Sequence, residues 1–345
     1  MTFPSRNGGG IGVYARRLVE ALRKRDDVTV WEAAGPTRSG MVGSGRWLLR
    51  GARRALEARR PDVLHCPGFV APWSVPVPFV VTVHDAAARR YPSDHPLEWR
   101  VYDLALTPRR LRAAARIIAV SEFARGEAID AYGLRPERVV VVPEGLDPRY
   151  FEPIAGADEK PRSLLFPGAP IGRKNLQAVL HCMARASPDS ELGRSSLDIT
   201  GARAEDFRNL AALVRELGIE ARVHWLGQVP SDDMPRLLAG ASVVVYPSLY
   251  EGFGFPPLEA MAVGTPVVAS NRASLPEVLG DAALQVDPTD RRALGEAIEA
   301  VLNRAEVREG LRERGRRWAR RFSWDRCAEI TREVYQVAMR EEHGR

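Results

Sequence analysis

Two glutamates stand eight positions apart in YEGFGFPPLEAMAVGTPVV, the stretch from Tyr250 to Val268. The apolar run before them, SVVVYPS (Ser242–Ser248), reads as a buried strand. Pro256 and Pro257 pre-set φ for the first turn of a helix. The carboxylates therefore do not share a helix face: Glu251 lies in the loop above the strand, and Glu259 lies in the first helical turn. Gly252 and Gly254 permit close backbone approach by a ligand. Amides at the helix start, with the positive end of the dipole behind them, favour a phosphate there. Two carboxylates beside a phosphate would repel it. They suit hydroxyl groups, with each charge-assisted hydrogen bond worth about 1.5–3 kcal/mol. A ligand with both phosphates and hydroxyl-rich rings, a nucleotide sugar, meets both demands. Taken singly, Glu259 also reads as a helix-start acid favoured by the dipole, and Glu251 as a surface loop acid.

Further stretches carry related chemistry. In PGAPIGRKNLQAV, Arg173 and Lys174 precede Asn175, which reads as a helix N-cap. Two cations there would face a diphosphate and stabilise charge on a leaving group; the alternative is a solvated basic turn. NGGGIGVYARRL opens a helix with clustered glycines, among them Gly10 and Gly12, whose backbone could approach an anion or a sugar. It lacks the acidic partner of a dinucleotide fingerprint, and a plain flexible loop is the other reading. His84 in VVTVHD ends a strand, so it is expected to face a cleft and meet a sugar hydroxyl or the reacting carbon. His65 in VLHCPG is placed similarly; both also read as structural histidines, and Asp85 as a cap.

Positioning these residues requires strands that end at one place. The apolar runs DVLHC, FVVTVHD, RIIAVS and RVVVVP alternate with helical stretches, one of them EWRVYDLALTPRRLRAAA. Ser121 reads as the N-cap of SEFARGEAIDAYG. The pattern resumes with SLLFPG, SLDITG, RVHWLG, SVVVYPS, TPVVAS and ALQVDP. Such alternation predicts α/β architecture, two doubly wound Rossmann-like domains facing across a cleft, with ligands beyond the carboxyl ends of the strands. The Pro-, Gly- and charge-rich stretch Asp147–Ser163 reads as the linker. Only MTFPSR precedes the glycine cluster, so the first strand of the first domain is read as missing, through a late start or a truncation.

The 345 residues suit two domains. Residues 1–150 carry a net charge of +8 and the remainder −2, which suggests an anionic partner for the first half or merely an Arg-rich solvated surface. Cys66, Cys182 and Cys327 form neither a metal spacing nor a disulfide framework. No run approaches the ~18 apolar residues of a membrane span, and the opening has no signal-peptide character. The expected location is cytoplasmic, or peripheral at the inner face of a membrane. The absence of an aromatic-interleaved basic motif argues against nucleic acid as a partner.

PSLYEGFGFPPLEAMAVGTPVVASNRASLPEVLGDAALQVDP strongly resembles the glutamate–seven–glutamate region of the retaining glycosyltransferases of family 4, the glycosyl transferases group 1, which have the GT-B fold. GRKN, LGQVP, TVHD, SEFAR and RFSWDRCAEITREVY follow in the order expected of that family, so the resemblance runs from about Gly8 to Val337. It implies an acceptor-side domain over 1–155, with 323–345 crossing back to it, and a donor domain over 156–322. It further implies that Glu251 contacts donor sugar hydroxyls near the reacting centre, that Glu259 binds the ribose, and that Arg173 and Lys174 hold the diphosphate. The amides around Phe253, Gly254 and Phe255 would touch the sugar and those near Leu258 the phosphate. Val229 would pack on the base, and His84 would meet the sugar. No cofactor or metal is expected, since the nucleotide sugar is a substrate. Glu144 in VPEGLD departs from the family, where Asn is common. The wording is most like bacterial mannosyltransferases. The expected reaction is therefore transfer of a hexose, first of all mannose from GDP-mannose and next glucose from UDP-glucose, to a saccharide, lipid-linked or small-molecule acceptor. A disaccharide phosphorylase of the same fold, and a truncated non-catalytic nucleotide-sugar-binding protein, are the alternatives.

Overall fold

The structure, a computed structural model, describes residues 10–33, 47–154 and 160–343. The residues in which a first strand was sought, ahead of Gly10, lie outside these. The chain forms two compact units, one of Met1–Gly145 with Phe322–Arg345 and one of Leu146–Arg321. Among the described residues each of the ten predicted apolar runs contains a strand. No described helix is long and apolar enough to cross a membrane.

The first unit holds four parallel strands in the order β1 (Leu64–Cys66), β2 (Phe79–Val83), β3 (Arg116–Ala119) and β4 (Val139–Val141). β2 is buried along its whole length, as befits a strand covered on both faces. The helices Gly10–Arg23 and Trp324–His343 pack on one another, and the latter also packs on β2 and β3. Gly145 lets the chain pass the start of that last helix: a Cβ there would lie 2.2 Å from the Trp324 backbone nitrogen. Ser121 caps the helix Glu122–Tyr132, its Oγ accepting from the Ala124 amide at 3.0 Å. The single helix expected over EWRVYDLALTPRRLRAAA is instead two, Leu97–Ala105 and Thr107–Ala113. Pro108 explains the break, since it has no N–H for a continuing helix and disfavours α geometry in the residue before it.

The second unit holds six parallel strands: β5 (Ser163–Phe166), β6 (Ser196–Thr200), β7 (Val223–Gly227), β8 (Val243–Tyr246), β9 (Val267–Ser270) and β10 (Leu284–Val286). Their order is β10-β9-β8-β5-β6-β7. From β5 the chain winds outward through β6 and β7; from β8 it winds the other way through β9 and β10. The reversal falls between β5 and β8, which are direct neighbours. Loops leaving the carboxyl ends of such a pair diverge to opposite faces and leave a crevice, where ligands bind in sheets of this kind. Leu164, Phe166, Val243, Val245 and Val268 on the strands join Val179, Leu294 and Ile298 on helices in a buried core.

Candidate active site

The two loops at the switch point meet through Glu251. Its Oε1 accepts from Lys174 Nζ at 2.5 Å, from Ser248 Oγ at 2.6 Å and from the Tyr246 hydroxyl at 3.0 Å. Lys174 comes from the loop after β5; the other residues end β8 or follow it. Burial alone would raise the Glu251 carboxyl, but the charges of Lys174 and Arg173, with the hydrogen bonds from Lys174 and Ser248, hold it below the ordinary value. Burial and the Glu251 charge push the Tyr246 phenol well above its ordinary value, so it remains a donor. The Lys174 ammonium also sits 4.6 Å from the centroid of the Tyr246 ring. Lys174 is one of three lysines, with Lys24 and Lys160, among 50 basic residues. A compact ammonium fits between ring and carboxylate where a planar guanidinium would not. That rarity is a signal in the sequence which motif reading passed over.

The loop holding these groups is over-determined. The Arg173 carbonyl accepts from the Leu249 amide at 2.8 Å, joining the two loops directly. Asn175 has left-handed backbone (φ 57°) and no capping side-chain bond, which corrects the N-cap expectation. Its Nδ2 instead donates to the carbonyls of Pro247 (3.3 Å) and Pro288 (2.8 Å). Ser274, fully buried, has its Oγ 2.9 Å from the Glu251 carbonyl and 2.8 Å from the Phe253 carbonyl. At Gly254 φ is +112°, and a Cβ there would meet Leu275 Cδ2 at 2.7 Å, so only glycine fits the bend. The rings of Phe253 and Phe255 pack edge to face at 5.3 Å.

Glu259 lies in the helix Phe255–Val263, half-buried, in a different setting. Burial pushes its carboxyl up to about 7, against a hydrogen bond from Tyr150 and the charge of Arg149. Tyr150 and Arg149 belong to the turn Pro148–Phe151, which packs on that helix. Leu258 is fully buried, and its amide closes the first turn onto the Gly254 carbonyl at 3.4 Å. Pro256 and Pro257 carry no N–H, so the anion-facing end of this helix offers fewer donors than a typical helix start. Val229 follows the edge strand β7, two strands away from β5.

In the first unit, both ring nitrogens of His84 are engaged. Nε2 donates to the Pro67 carbonyl at 2.9 Å, and Nδ1 lies 3.2 Å from Glu144 Oε1. Burial would lower this imidazole; Glu144, by hydrogen bonding and charge, outweighs it and raises the pKa. Glu144 is itself buried, so the departure from the family's Asn places an acid directly against His84. His65 is structural: Nδ1 meets the Tyr335 hydroxyl at 2.6 Å, Nε2 meets Thr82 Oγ1 at 2.8 Å, and burial holds its pKa at about 3. Asp85 caps the next turn through the Ala87 amide at 2.9 Å. Gly10 begins its helix exposed, with open space where a Cβ would stand, and Gly12 is buried in the first turn. The three cysteines are buried thiols.

The family model of the glycosyl transferases group 1 matches residues 151–318, and that of Glycosyltransferase Family 4 matches residues 8–150. The chain belongs to glycosyltransferase family 4, the glycosyl transferases group 1. This glycosyltransferase is 33% identical over 293 residues to the O-antigen chain mannosyltransferase B of Escherichia coli, covering 82% of this chain and 76% of the relative. It is 30% identical over 327 residues to the MMP alpha-(1->4)-mannosyltransferase of Mycolicibacterium hassiacum, covering 90% of this chain and 78% of the relative. Among solved structures, the sucrose-phosphate synthase from Thermosynechococcus elongatus superposes with a TM-score of 0.77 at 22% identity, over 95% of this chain and 93% of that one. Anabaena HepE in complex with UDP and glucose superposes with a TM-score of 0.77 at 19% identity, over 96% and 97% of the two chains. The fold of the glycosyltransferase is thus GT-B, with two parallel-sheet Rossmann-like domains.

Sequence reading of the glycosyltransferase found Glu251, Arg173 and Lys174, which the structure brings together. It missed Tyr246, Ser248 and Ser274, which look in sequence like the end of a strand and a loop serine. It also missed Tyr150 and Arg149, hidden in a stretch read as linker.

Proposed function

We propose that the enzyme transfers a hexose, with retention of configuration, from a nucleotide diphosphate sugar to a saccharide, lipid-linked or small-molecule acceptor. The observation that carries this reading is the buried Glu251 carboxylate, held ionised by Lys174 at the carboxyl ends of β5 and β8. Three donors converge on its Oε1, which leaves Oε2 to accept from a donor sugar hydroxyl near the reacting carbon. Such a carboxylate strengthens its bond as positive character develops on the sugar ring. Arg173 and Lys174 stand where a diphosphate leaving group would gather negative charge. We assign the ribose hydroxyls to Glu259, the sugar to the loop Phe253–Phe255, and the base to the region of Val229; His84, whose ring nitrogens are both engaged within the first unit, is assigned no hydrogen bond to the sugar. We assign approach to an anion or sugar to the backbone at Gly10 and Gly12; the Leu258 amide, which already donates to the Gly254 carbonyl, is not assigned to the phosphate. The departing phosphate takes the acceptor proton on the same face, and no metal is needed where two cations meet the diphosphate.

Mannose from GDP-mannose is the lead donor, supported by relatives that are mannosyltransferases. UDP-glucose is the second, supported by the neighbour bound to UDP and glucose. A thermal-shift panel of nucleotides and nucleotide sugars tests the choice, because a ligand that binds only the folded state raises its stability by mass action. Selective stabilisation by GDP and GDP-mannose is the expected result. Stabilisation by UDP alone would move the assignment to the second donor. Formation of sugar 1-phosphate from a disaccharide and inorganic phosphate without nucleotide would replace transfer with phosphorolysis. NMR of the product's anomeric proton checks retention.

A further inference from the structure

The turn Pro148–Phe151 is a fork. Asp147 caps it by accepting from the Arg149 amide at 3.2 Å, and Pro148 fixes its first φ. It is a 3-10 turn, so consecutive side chains leave it about 120° apart. Tyr150 goes inward. It is buried against the helix Phe255–Val263, and its hydroxyl donates to the Glu259 carboxyl. Burial and the Glu259 charge push this phenol far up, so it remains a donor. Arg149 goes outward. Its Nε lies 3.1 Å from Asp147 Oδ2, and its Nη1 donates to Asp232 Oδ1 at 2.6 Å. Asp232 stands in the loop that leaves β7, runs through Val229 and enters the helix Met234–Ala239. Its side chain is 93% exposed. Ion pairs so exposed add little to stability, so what this one supplies is position. β7 is the edge strand on one side of the switch point, and the helix carrying Glu259 joins β8 to β9 on the other. One short turn thus grips a group from each side.

We propose that this fork is a nucleotide clasp: Arg149 holds the base loop through Asp232, and Tyr150 aims Glu259 at the ribose, both as positioning residues. The inference rests on the base and ribose assignments made above and deepens them. A loop beyond an edge strand has to be ordered when ligand binds, and a tie made beforehand keeps that ordering from weakening affinity. A carboxylate has about four lone-pair sites, enough for Tyr150 and two ribose hydroxyls together. The Tyr150 hydrogen bond and the Arg149 charge favour the ionised form of Glu259, against burial and the charge of Asp147. The Tyr246 phenol at the end of β8 also feels the Glu259 charge. On the other helices packed here, Arg236 and Glu277 are exposed, and Arg316 donates to the Val263 carbonyl at 3.1 Å, at the far end of the helix from Glu259's turn.

The test is calorimetric titration of the full chain with GDP, with UDP and with inorganic pyrophosphate, which has neither base nor ribose, from about pH 6 to about pH 9. For the nucleotide that wild type binds, Arg149→Gln should weaken binding about tenfold at about pH 7, and Asp232→Asn about two- to fivefold. Both should leave pyrophosphate affinity unchanged. The double variant should be no weaker than Arg149→Gln alone, because the two side chains form one tie. Tyr150→Phe should bind nucleotide more weakly at about pH 7 and regain wild-type affinity at about pH 9, where Glu259 ionises without help. Arg149→Lys keeps the charge and loses the planar fork, so its affinity should follow the wild-type pH profile at a lower level. Carbon-13 NMR of the Glu259 carboxyl reads the same coupling without ligand. Its midpoint, about 7 in wild type, should rise in Arg149→Gln and Tyr150→Phe and hold in Arg149→Lys. A merely structural turn would move neither the pH profile nor that midpoint. Equal nucleotide affinity in wild type, Arg149→Gln and Asp232→Asn, additive losses in the double variant, or an unmoved midpoint would overturn the clasp and leave the nucleotide-sugar reading standing. A wild type that binds neither nucleotide would overturn that reading, and the clasp with it.

Discussion

Glu251 and Glu259 are the same residue type eight positions apart, yet their surroundings drive them to opposite charge behaviour. Glu251 is held ionised by Lys174, so Glu251→Gln keeps the shape and removes the charge. Steady-state kinetics should show kcat lowered about 100-fold or more, with calorimetric affinity for the nucleotide changed only a few-fold. Equal turnover would remove the assignment. Glu259 has a folded pKa of about 7, above its ordinary 4.5. The folded state therefore binds more protons than the unfolded one in this range, and the group's contribution to stability declines as pH rises from 4.5 through 7. Glu259→Gln should melt higher than wild type at about pH 8, by roughly 1–3 kcal/mol, and should match it at about pH 4. If Glu259 binds the ribose as proposed, the carboxylate form is the one required, and donor affinity of wild type should rise as pH climbs through 7. The variant should bind donor weakly at every pH. At His84, Glu144→Gln removes the carboxyl that raises the pKa of the imidazole. NMR titration of its ring proton should then move to lower pH, and an unmoved titration would disprove the coupling.

At the scale of elements, the active-site loop owes its shape to residues outside it. Ser274→Ala strips both the Glu251 and Phe253 carbonyls of a partner at once. Gly254→Ala forces a Cβ into Leu275 at a backbone angle that side chains rarely adopt. Each should cost about 1–3 kcal/mol in chemical unfolding and raise the KM for donor. An unchanged KM in both would show that the loop tolerates a different shape. The strands were legible because parallel strands buried on both faces read as unbroken apolar runs, as in SVVVYPS. The glycine–proline bend was legible because only those residues satisfy such backbone angles. Asn175 was misread because its amide stitches two loops that lie more than seventy residues away in sequence. Tyr150 was missed because its stretch has the composition of a connector, and only the packing of a short turn on a helix brings it to Glu259. Leu97, Val101 and Leu104 are exposed, yet they have the periodicity of a core-facing helix; spacing alone does not say which side faces inward.

At the scale of the molecule, charge is divided as the chemistry requires. The first half is basic, whereas in the second unit Arg173 and Lys174 provide cations at the mouth of the switch point. If, as proposed, these cations take the place of a divalent ion on the diphosphate, chelation of free metal by EDTA should leave the transfer rate within about twofold. A collapse of activity reversed by magnesium or manganese would show that the two side chains are insufficient.

The first unit is assembled from two stretches far apart in sequence, with the helix Trp324–His343 lodged against Gly10–Arg23 and against β2 and β3. During synthesis, the early residues of this unit must wait for the helix Trp324–His343, which follows every strand of Leu146–Arg321. Domains commonly mature from the amino end as the chain emerges; here the first unit cannot be completed until that late helix is made, so the surface it covers on Gly10–Arg23, β2 and β3 stays open until then.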